Sequence, residues 1–204
     1  GAALEPGTVA SWLDAHARRG ARCGMAVIGT HAAYEGDATA LAIAAADGEG
    51  AYIDTATLTP DDEAALGAWL ADGQAPKALH EAKSAMHDLA GRGWRLAGVT
   101  SDIALAAYLV RPGQRSFALD DLSVRYLKRE LRAEEPEQQQ LSLLDDDDGV
   151  DEQGVQTLIL RARAITDLAD ALDVELAAME SSALLSEMEL PVQMVLAGLE
   201  SRGI

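Results

Sequence analysis

Between residues 25 and 54 three short apolar runs are separated by turn residues, and this pattern restricts the fold more than any other stretch of the chain. Residues 25–29 follow Gly24 and read as a buried strand. Residues 39–46 read as a second strand, Asp47-Gly48-Glu49-Gly50 supplies turn chemistry, and 51–54 read as a third. Together they predict an antiparallel meander. The second run is rich in alanine, whose intrinsic preference is helical, so a helix there is the competing reading. Aromatic residues make up only 4% of the chain, so a core must be built from Ala, Leu, Val and Ile.

Helices and strands then alternate. Residues 8–19 predict a helix with Val9, Trp12 and Leu13 on one face. Thr59-Pro60-Asp61-Asp62-Glu63 is a helix start, with Thr59 as cap, Pro60 in the first position and acids in the first turn. That helix is expected to reach about Asp72, before Gly73. Residues 77–80 and 96–99 predict two further strands, with a helix over 83–90 closed by Gly91 between them. The next helix is capped by Ser101 or Asp102 and ends before Arg111-Pro112-Gly113; another covers 119–131. Composition then breaks sharply. Residues 134–152 hold nine acidic side chains, no basic ones and the run Gln138-Gln139-Gln140, from which no core can form. An exposed, mobile acidic loop is expected over 133–152. Two long helices follow, 155–179 and 182–199, with Pro191 inside or kinking the second. The pattern predicts an α/β domain with a mixed sheet flanked by helices and long C-terminal helices, and no internal repeats.

Charge and cysteine usage exclude several classes of function. Sixteen Lys and Arg against 34 Asp and Glu give a net charge of −18. Independent nucleic-acid binding draws its affinity from cations neutralising phosphates, so weak or no direct DNA binding is expected. Arg18, Arg19 and Arg22 form the nearest basic cluster and are too few to reverse the balance. The single Cys23 cannot close an internal disulfide, and no Cys/His spacing suits zinc. No signal peptide and no apolar run near 20 residues is present, so no membrane partner and a cytoplasmic location are expected.

Three motifs in order carry a family resemblance. Ser101-Asp102-Ile103-Ala104-Leu105-Ala106-Ala107-Tyr108-Leu109 resembles the "Asp-Thr-Met-Leu-x-x-Tyr-Leu" helix of the 3′–5′ exonuclease domain in bacterial DNA polymerase I. Leu119-Asp120-Asp121-Leu122-Ser123-Val124-Arg125-Tyr126-Leu127 is similar to the next helix of that family. Glu187-Met188-Glu189-Leu190-Pro191-Val192, with Val195-Leu196 and Gly203-Ile204, resembles the "Glu-x-Pro-Leu … Val-Leu … Gly-Ile/Val" segment that opens the polymerase domain. The resemblance covers roughly residues 20–204 and is to an actinobacterial member.

The resemblance implies a ribonuclease-H-like fold with a five-stranded mixed sheet. It also implies an exonuclease-like domain over 1–180, a helix over 181–204 leading into a polymerase domain, and that polymerase domain as a partner. Active members of the family hold two divalent metals with an Asp-x-Glu pair on the first strand, an Asp on a central helix and an Asp on the last long helix. Two hard cations about 4 Å apart require anionic oxygens to stabilise attacking water and leaving oxygen. In this chain the Asp-x-Glu falls on Ile28-Gly29-Thr30, the helix Asp on Ala85, and the last Asp on Ala162, counted from Leu158 in the place of a Tyr. A register slip of one would place Arg161 or Arg163 there, which cannot bind a cation either. The resemblance thus implies a catalytically degenerate domain, with no catalytic residue, no metal and no cofactor.

Rival sites are poorer. His80-Glu81 invites a zinc-protease reading, but Ser84 stands where the second histidine belongs. Asp145 to Asp148 with Gly149 fail as a calcium loop, because Leu144 and Val155 would occupy acidic positions. His31 reads as part of a turn and His87 as a helix-surface residue; Trp12, Trp69 and Trp94 read as packing. One segment stands out from the acidic loop. Gln140-Leu141-Ser142-Leu143-Leu144 resembles the sliding-clamp-binding pentapeptide Gln-Leu-Ser/Asp-Leu-Phe at four positions, so the clamp is a candidate partner. The alternative is that these leucines tuck back onto the domain. A regulatory interaction module, and an active exonuclease with relocated ligands, are the competing functions.

Overall fold

The computed structural model describes residues 1–17, 20–30, 36–131 and 151–203. Its centre is a mixed sheet of β1 (Ala2–Ala3), β2 (Cys23–Gly29), β3 (Ala38–Ala44), β4 (Gly50–Asp54), β5 (Lys77–Leu79) and β6 (Val99–Asp102), in the spatial order β1-β4-β3-β2-β5-β6. The strands β2, β3 and β4 form the expected antiparallel meander, while β5 and β6 join in parallel. The two-residue β1, parallel to β4, extends the expected five strands to six. Helices α1 (Val9–His16), α2 (Pro60–Ala71) and α3 (Ala82–Gly91) cover one face. Helices α4 (Ile103–Val110), α5 (Leu119–Leu122) and α6 (Glu152–Ala178) cover the other. A short α7 (Ser182–Leu184) and α8 (Leu190–Glu200) end the chain.

The alanine-rich β3 is a strand because its two faces need different sizes. Ala40, Ala42 and Ala44 lie beneath α6, whereas Leu41, Ile43 and Ala45 enter the core on the other side. This period of two is what a half-pleated surface requires, and it overrides alanine's helical preference. Small residues let α6 lie close on the sheet. At Gly24 a Cβ would stand 2.2 Å from the carbonyl oxygen of Ala162. Burial of Leu158, Ile165, Leu168, Leu172 and Leu176 along α6 holds the helix down, at about 1.5–3 kcal/mol for each large side chain. Arg22 adds ion pairs to Asp170 at 2.8 Å and Asp173 at 2.7 Å.

Helix starts follow the sequence signals. Thr59 accepts from the Asp62 amide and Asp62 accepts from the Thr59 amide, a reciprocal cap, with Pro60 in the first turn. The buried Asp62 carboxylate also accepts the amides of Gly7 at 2.7 Å and Val9 at 3.2 Å, so it ties the start of α1 to that of α2. Burial alone would push its pKa up, but these amides hold it below the ordinary carboxylate value.

Other ends shift. The strand expected at 96–99 begins only at Val99, because Gly98, at φ +76°, turns the chain first and Leu96 drops into the core. The helix expected to reach residue 131 ends with a π-turn over Ser123–Leu127, where Lys128 takes φ +58°. Pro191 sits at the start of α8, directly after a π-turn over Leu185–Glu189, which absorbs the missing amide hydrogen.

Two buried groups explain sequence positions with no family meaning. Lys77 has no exposed surface; its ammonium donates to the carbonyls of Ala75 at 2.7 Å, Ala97 at 3.0 Å and Asp72 at 3.2 Å and lies 4.6 Å from the centre of the Trp69 ring. Burial pulls its pKa down to about 8, against the attraction of Asp72. Cys23 is buried nearby, and burial pushes its thiol up to about 11, so it is an inert structural thiol. Among the described residues no helix is long and apolar enough to cross a membrane.

Candidate functional site

Strands β2 and β5 are neighbours only over Cys23–Lys77 and Gly24–Ala78. Beyond that point β5 stops and the chain turns into α3, while β2 runs on to Gly29. The divergence opens a cleft of about 600 Å³. Its floor includes Ala26 and Ile28 of β2, with Leu79 and Leu119. One wall is Ser84, Ala85 and Asp88 on α3, a spacing that places the three on one helical face, with Glu81 at the cap just before the helix. The opposite wall is Gly154, Thr157, Leu158, Arg161 and Ile165 on the first half of α6, with Asp151 at its cap.

One carboxylate organises this end of the sheet. Asp102, fully buried, accepts the amides of Ala104 at 3.0 Å and Leu105 at 3.3 Å as the cap of α4. It also accepts the amides of Glu81 at 3.3 Å and Ala82 at 2.7 Å, which open α3. The amide of Gln193 on α8 completes the set at 2.8 Å. Glu81 is thereby held in a left-handed conformation at φ 57° at the mouth of the cleft. The neighbouring His80 donates from Nε2 to the carbonyl of Phe117 at 2.7 Å, so it is a wall residue with a satisfied ring.

The structure brings Ile28 and Ala85 together in the cleft, and Ile28 remains 46% exposed there. Thr30 lies just past β2, its amide donating to the carbonyl of Asp37 at 3.0 Å. Ala162 does not open on the cleft: it is fully buried, with its carbonyl against Gly24. Its neighbour Arg161 does, and pairs with Asp120 at 3.4 Å. Arg163 instead reaches the carbonyl of Gly48. The candidate clamp-binding residues Gln140, Leu141, Ser142, Leu143 and Leu144 lie outside the described residues, as do Arg18, Arg19 and His31. His87 is a surface residue paired with Glu200 at 2.8 Å.

Two cleft carboxylates, Asp88 and Asp151, are not singled out by the sequence, and Glu81 enters there only beside His80. The spacing 84, 85, 88 is the available signal for the α3 wall. Asp88 lies so close to the end of β2 that a Cβ on Gly29 would stand 2.1 Å from its carboxyl carbon. Even so, the residues do not fit the metal pair. Ile28, Ala85 and Leu158 carry no ligating oxygen on their side chains, and among the described residues no group of three or more His, Cys, Asp or Glu could hold a metal ion.

With this geometry in hand, comparison with known proteins is specific. The sequence profile described as "DNA polymerase I, ribonuclease H-like domain" matches residues 30–136. DNA polymerase I of Mycobacterium tuberculosis (strain ATCC 25618 / H37Rv) is 74% identical over 204 residues, all of this chain and 22% of that protein. DNA polymerase I of Mycobacterium leprae (strain TN) is 70% identical over the same share of each chain. The chain therefore spans about a fifth of the length of these relatives. Among solved structures, the POL domain of Pol1 from M. smegmatis in complex with DNA primer-template and dNTP superposes with a TM-score of 0.84 at 65% identity, covering 97% of this chain and 31% of that one. Brucella melitensis NrnC with bound Mg2+ shares the fold at a TM-score of 0.76 and 14% identity, covering 99% of this chain and 93% of its own.

Proposed function

Because the chain belongs to the DNA polymerase I family of ribonuclease H-like domains, we propose that it is a non-catalytic structural domain of a DNA polymerase I, a spacer and contact surface beside the polymerase module. The observation that carries this reading is the chemistry of the cleft. Where the family's first-strand and helix carboxylates would meet the metals, Ile28 and Ala85 face the opening. The parent would be a cytoplasmic polymerase of replication and repair that lacks proofreading, and this part of it needs no cofactor.

The contact surface is supported by α8. Leu190 and Ala197 are buried, Gln193 reaches Asp102, and Glu200 pairs with Lys83 and His87, each at 2.8 Å. The other side carries Val192, Val195, Leu196 and Leu199, all exposed, at a spacing that forms one helical row. A contiguous apolar row on a soluble domain marks a surface that another part of the parent covers.

The test is a nuclease assay. Purified protein is incubated with 5′-labelled single-stranded and mismatched DNA in Mg2+ or Mn2+ and run on a denaturing gel. Full-length DNA is the expected result. Metal-dependent 3′ trimming would overturn the reading in favour of an exonuclease with relocated ligands. A second reading, docking of the sliding clamp through residues 140–144, is favoured by the four matching positions of that pentapeptide.

A further inference from the structure

We infer that the end of α4 and the π-turn after α5 form a docking surface for a short acidic segment of a partner protein, one that carries an aromatic or large aliphatic residue among its carboxylates.

The first support is charge. Acids outnumber cations 34 to 16 in this chain, so a group of cations free of ion pairs is not expected by chance. Arg22 pairs with Asp170 and Asp173, Lys83 with Glu200, Arg92 with Asp37 and Glu63, and Arg129 with Asp167. Arg111, Arg115, Arg125 and Lys128 are exposed, and among the described residues none of them has a carboxylate within ion-pair distance. Asp120, in the same stretch of chain, is engaged instead by Arg161 on α6.

The second support is how the backbone gathers these cations around an exposed aromatic side chain. The Arg111 amide donates to the Ala107 carbonyl at 2.9 Å, and the buried Gln114 side chain donates to the same carbonyl at 3.1 Å. The turn from Arg111 to Gln114 is therefore folded against the end of α4. Arg115 leaves that turn two residues before Phe117, whose ring packs on that of Tyr108 with centroids 5.9 Å apart. Tyr108 stands one helical turn from Arg111 and is 51% exposed. On the other side, Lys128 folds back to donate to the Arg125 carbonyl at 2.7 Å. Tyr126 links the two halves: burial pushes its phenol up, while Arg125 and Arg111, from different elements, both pull it down against Glu175.

Guanidinium forks beside an exposed aromatic ring suit a ligand that offers carboxylates and an apolar side chain together. The extent of the surface selects a short one. Asp121 lies between Phe117 and Arg125 in the chain, Glu175 faces Tyr126, and the whole chain carries −18. A long polyanion such as DNA would run off the cations onto like charge, whereas a short acidic segment stays upon them.

The experiment uses the 204-residue chain and rhodamine-labelled probes read by fluorescence anisotropy: the peptide Glu-Asp-Glu-Trp-Asp-Leu, its amide counterpart Gln-Asn-Gln-Trp-Asn-Leu, and a short oligothymidylate. The acidic peptide is expected to bind about tenfold more tightly than the amide peptide at low salt, an advantage that shrinks as salt is raised. Arg111→Gln with Arg125→Gln is expected to abolish that advantage, and Tyr108→Ala to weaken both peptides. Arg95→Gln with Arg202→Gln removes the same charge elsewhere on the surface and should leave binding unchanged. Equal affinity for the two peptides, equal weakening by the two double variants, or tighter binding of the oligothymidylate than of the acidic peptide would each overturn the inference.

Discussion

Replacing Asp102 by alanine should cost this domain about 3–5 kcal/mol. The side chain accepts five hydrogen bonds with no exposure to water, four from backbone amides and one from Gln193. Loss of a helix cap costs about 0.5–2 kcal/mol, and here two helices lose theirs together. Each buried donor left without an acceptor adds about 1–3 kcal/mol, although local relaxation lets water reach some of them. The sum is a large part of the 5–15 kcal/mol typical of a domain, so the variant should fold but melt roughly 8–15 °C lower. Asp102→Asn should fall between, since one oxygen still accepts while the new amide faces donors. Urea unfolding followed by circular dichroism gives the free energies. Hydrogen exchange should locate the loss at the amides of Ala82 and Leu105, at the starts of α3 and α4. A cost below about 1 kcal/mol, or exchange unchanged at both helix starts, would refute the view that one carboxylate begins both helices.

Gly24→Ala should destabilise by several kcal/mol in the same urea assay, since its Cβ would meet the Ala162 carbonyl at 2.2 Å and lift α6 from β2; a neutral result would mean the helix can shift freely. Lys77 has its folded pKa lowered to about 8 from 10.5, so between these values the unfolded chain binds more protons and stability rises with pH. Cys23, raised to about 11 from 9.0, opposes that trend above pH 9. The rise should therefore appear between pH 8 and 9 and flatten above, and Lys77→Met should lack it; equal slopes in both proteins would contradict the assignment. Calorimetry with the sliding clamp should show heat from the wild type and none from a Gln140→Ala, Leu143→Ala double variant, with equal heats counting against residues 140–144. Restoring a single carboxylate, Ile28→Asp, should produce no nuclease activity, because a metal pair needs several anionic ligands.

Local chemistry was legible where a residue acts on its own neighbours. Thr59 with Pro60 announced α2, and the turn at Asp47 to Gly50 announced the hairpin of β3 and β4. What sequence spacing could not carry was action at a distance. Asp102 reads as a cap for the helix it precedes, but its second role, 20 residues back at Ala82, exists only because β5 and β6 lie side by side. The same limit explains β6, where Leu96 looks like strand and is core, since only the turn at Gly98 decides when pairing begins.

The site divides along the same line. A family resemblance assigns Ile28 and Ala85 to the positions where carboxylates are expected, from order and spacing alone, and both line the cleft. It could not say which side of α6 meets them. The helix faces the cleft through Gly154, Thr157, Leu158, Arg161 and Ile165, and Ala162 is spent on contact with Gly24. The backbone of Ala162 lies against Gly24 and its side chain is fully buried in the core between α6 and the sheet, so a carboxylate at 162 would have to enter packing with no spare volume. Building a metal site in this chain thus calls for more than introducing carboxylates: α6 would have to rotate or slide so that position 162 opens on the cleft. An Ile28→Asp, Thr30→Glu, Ala85→Asp, Ala162→Asp quadruple variant should accordingly be destabilised without binding Mn2+, whereas a variant carrying Arg161→Asp in place of the change at 162 should gain Mn2+ affinity by titration calorimetry. Stable folding with Mn2+ binding by the first variant, and none by the second, would show that the helix turns more readily than its packing allows.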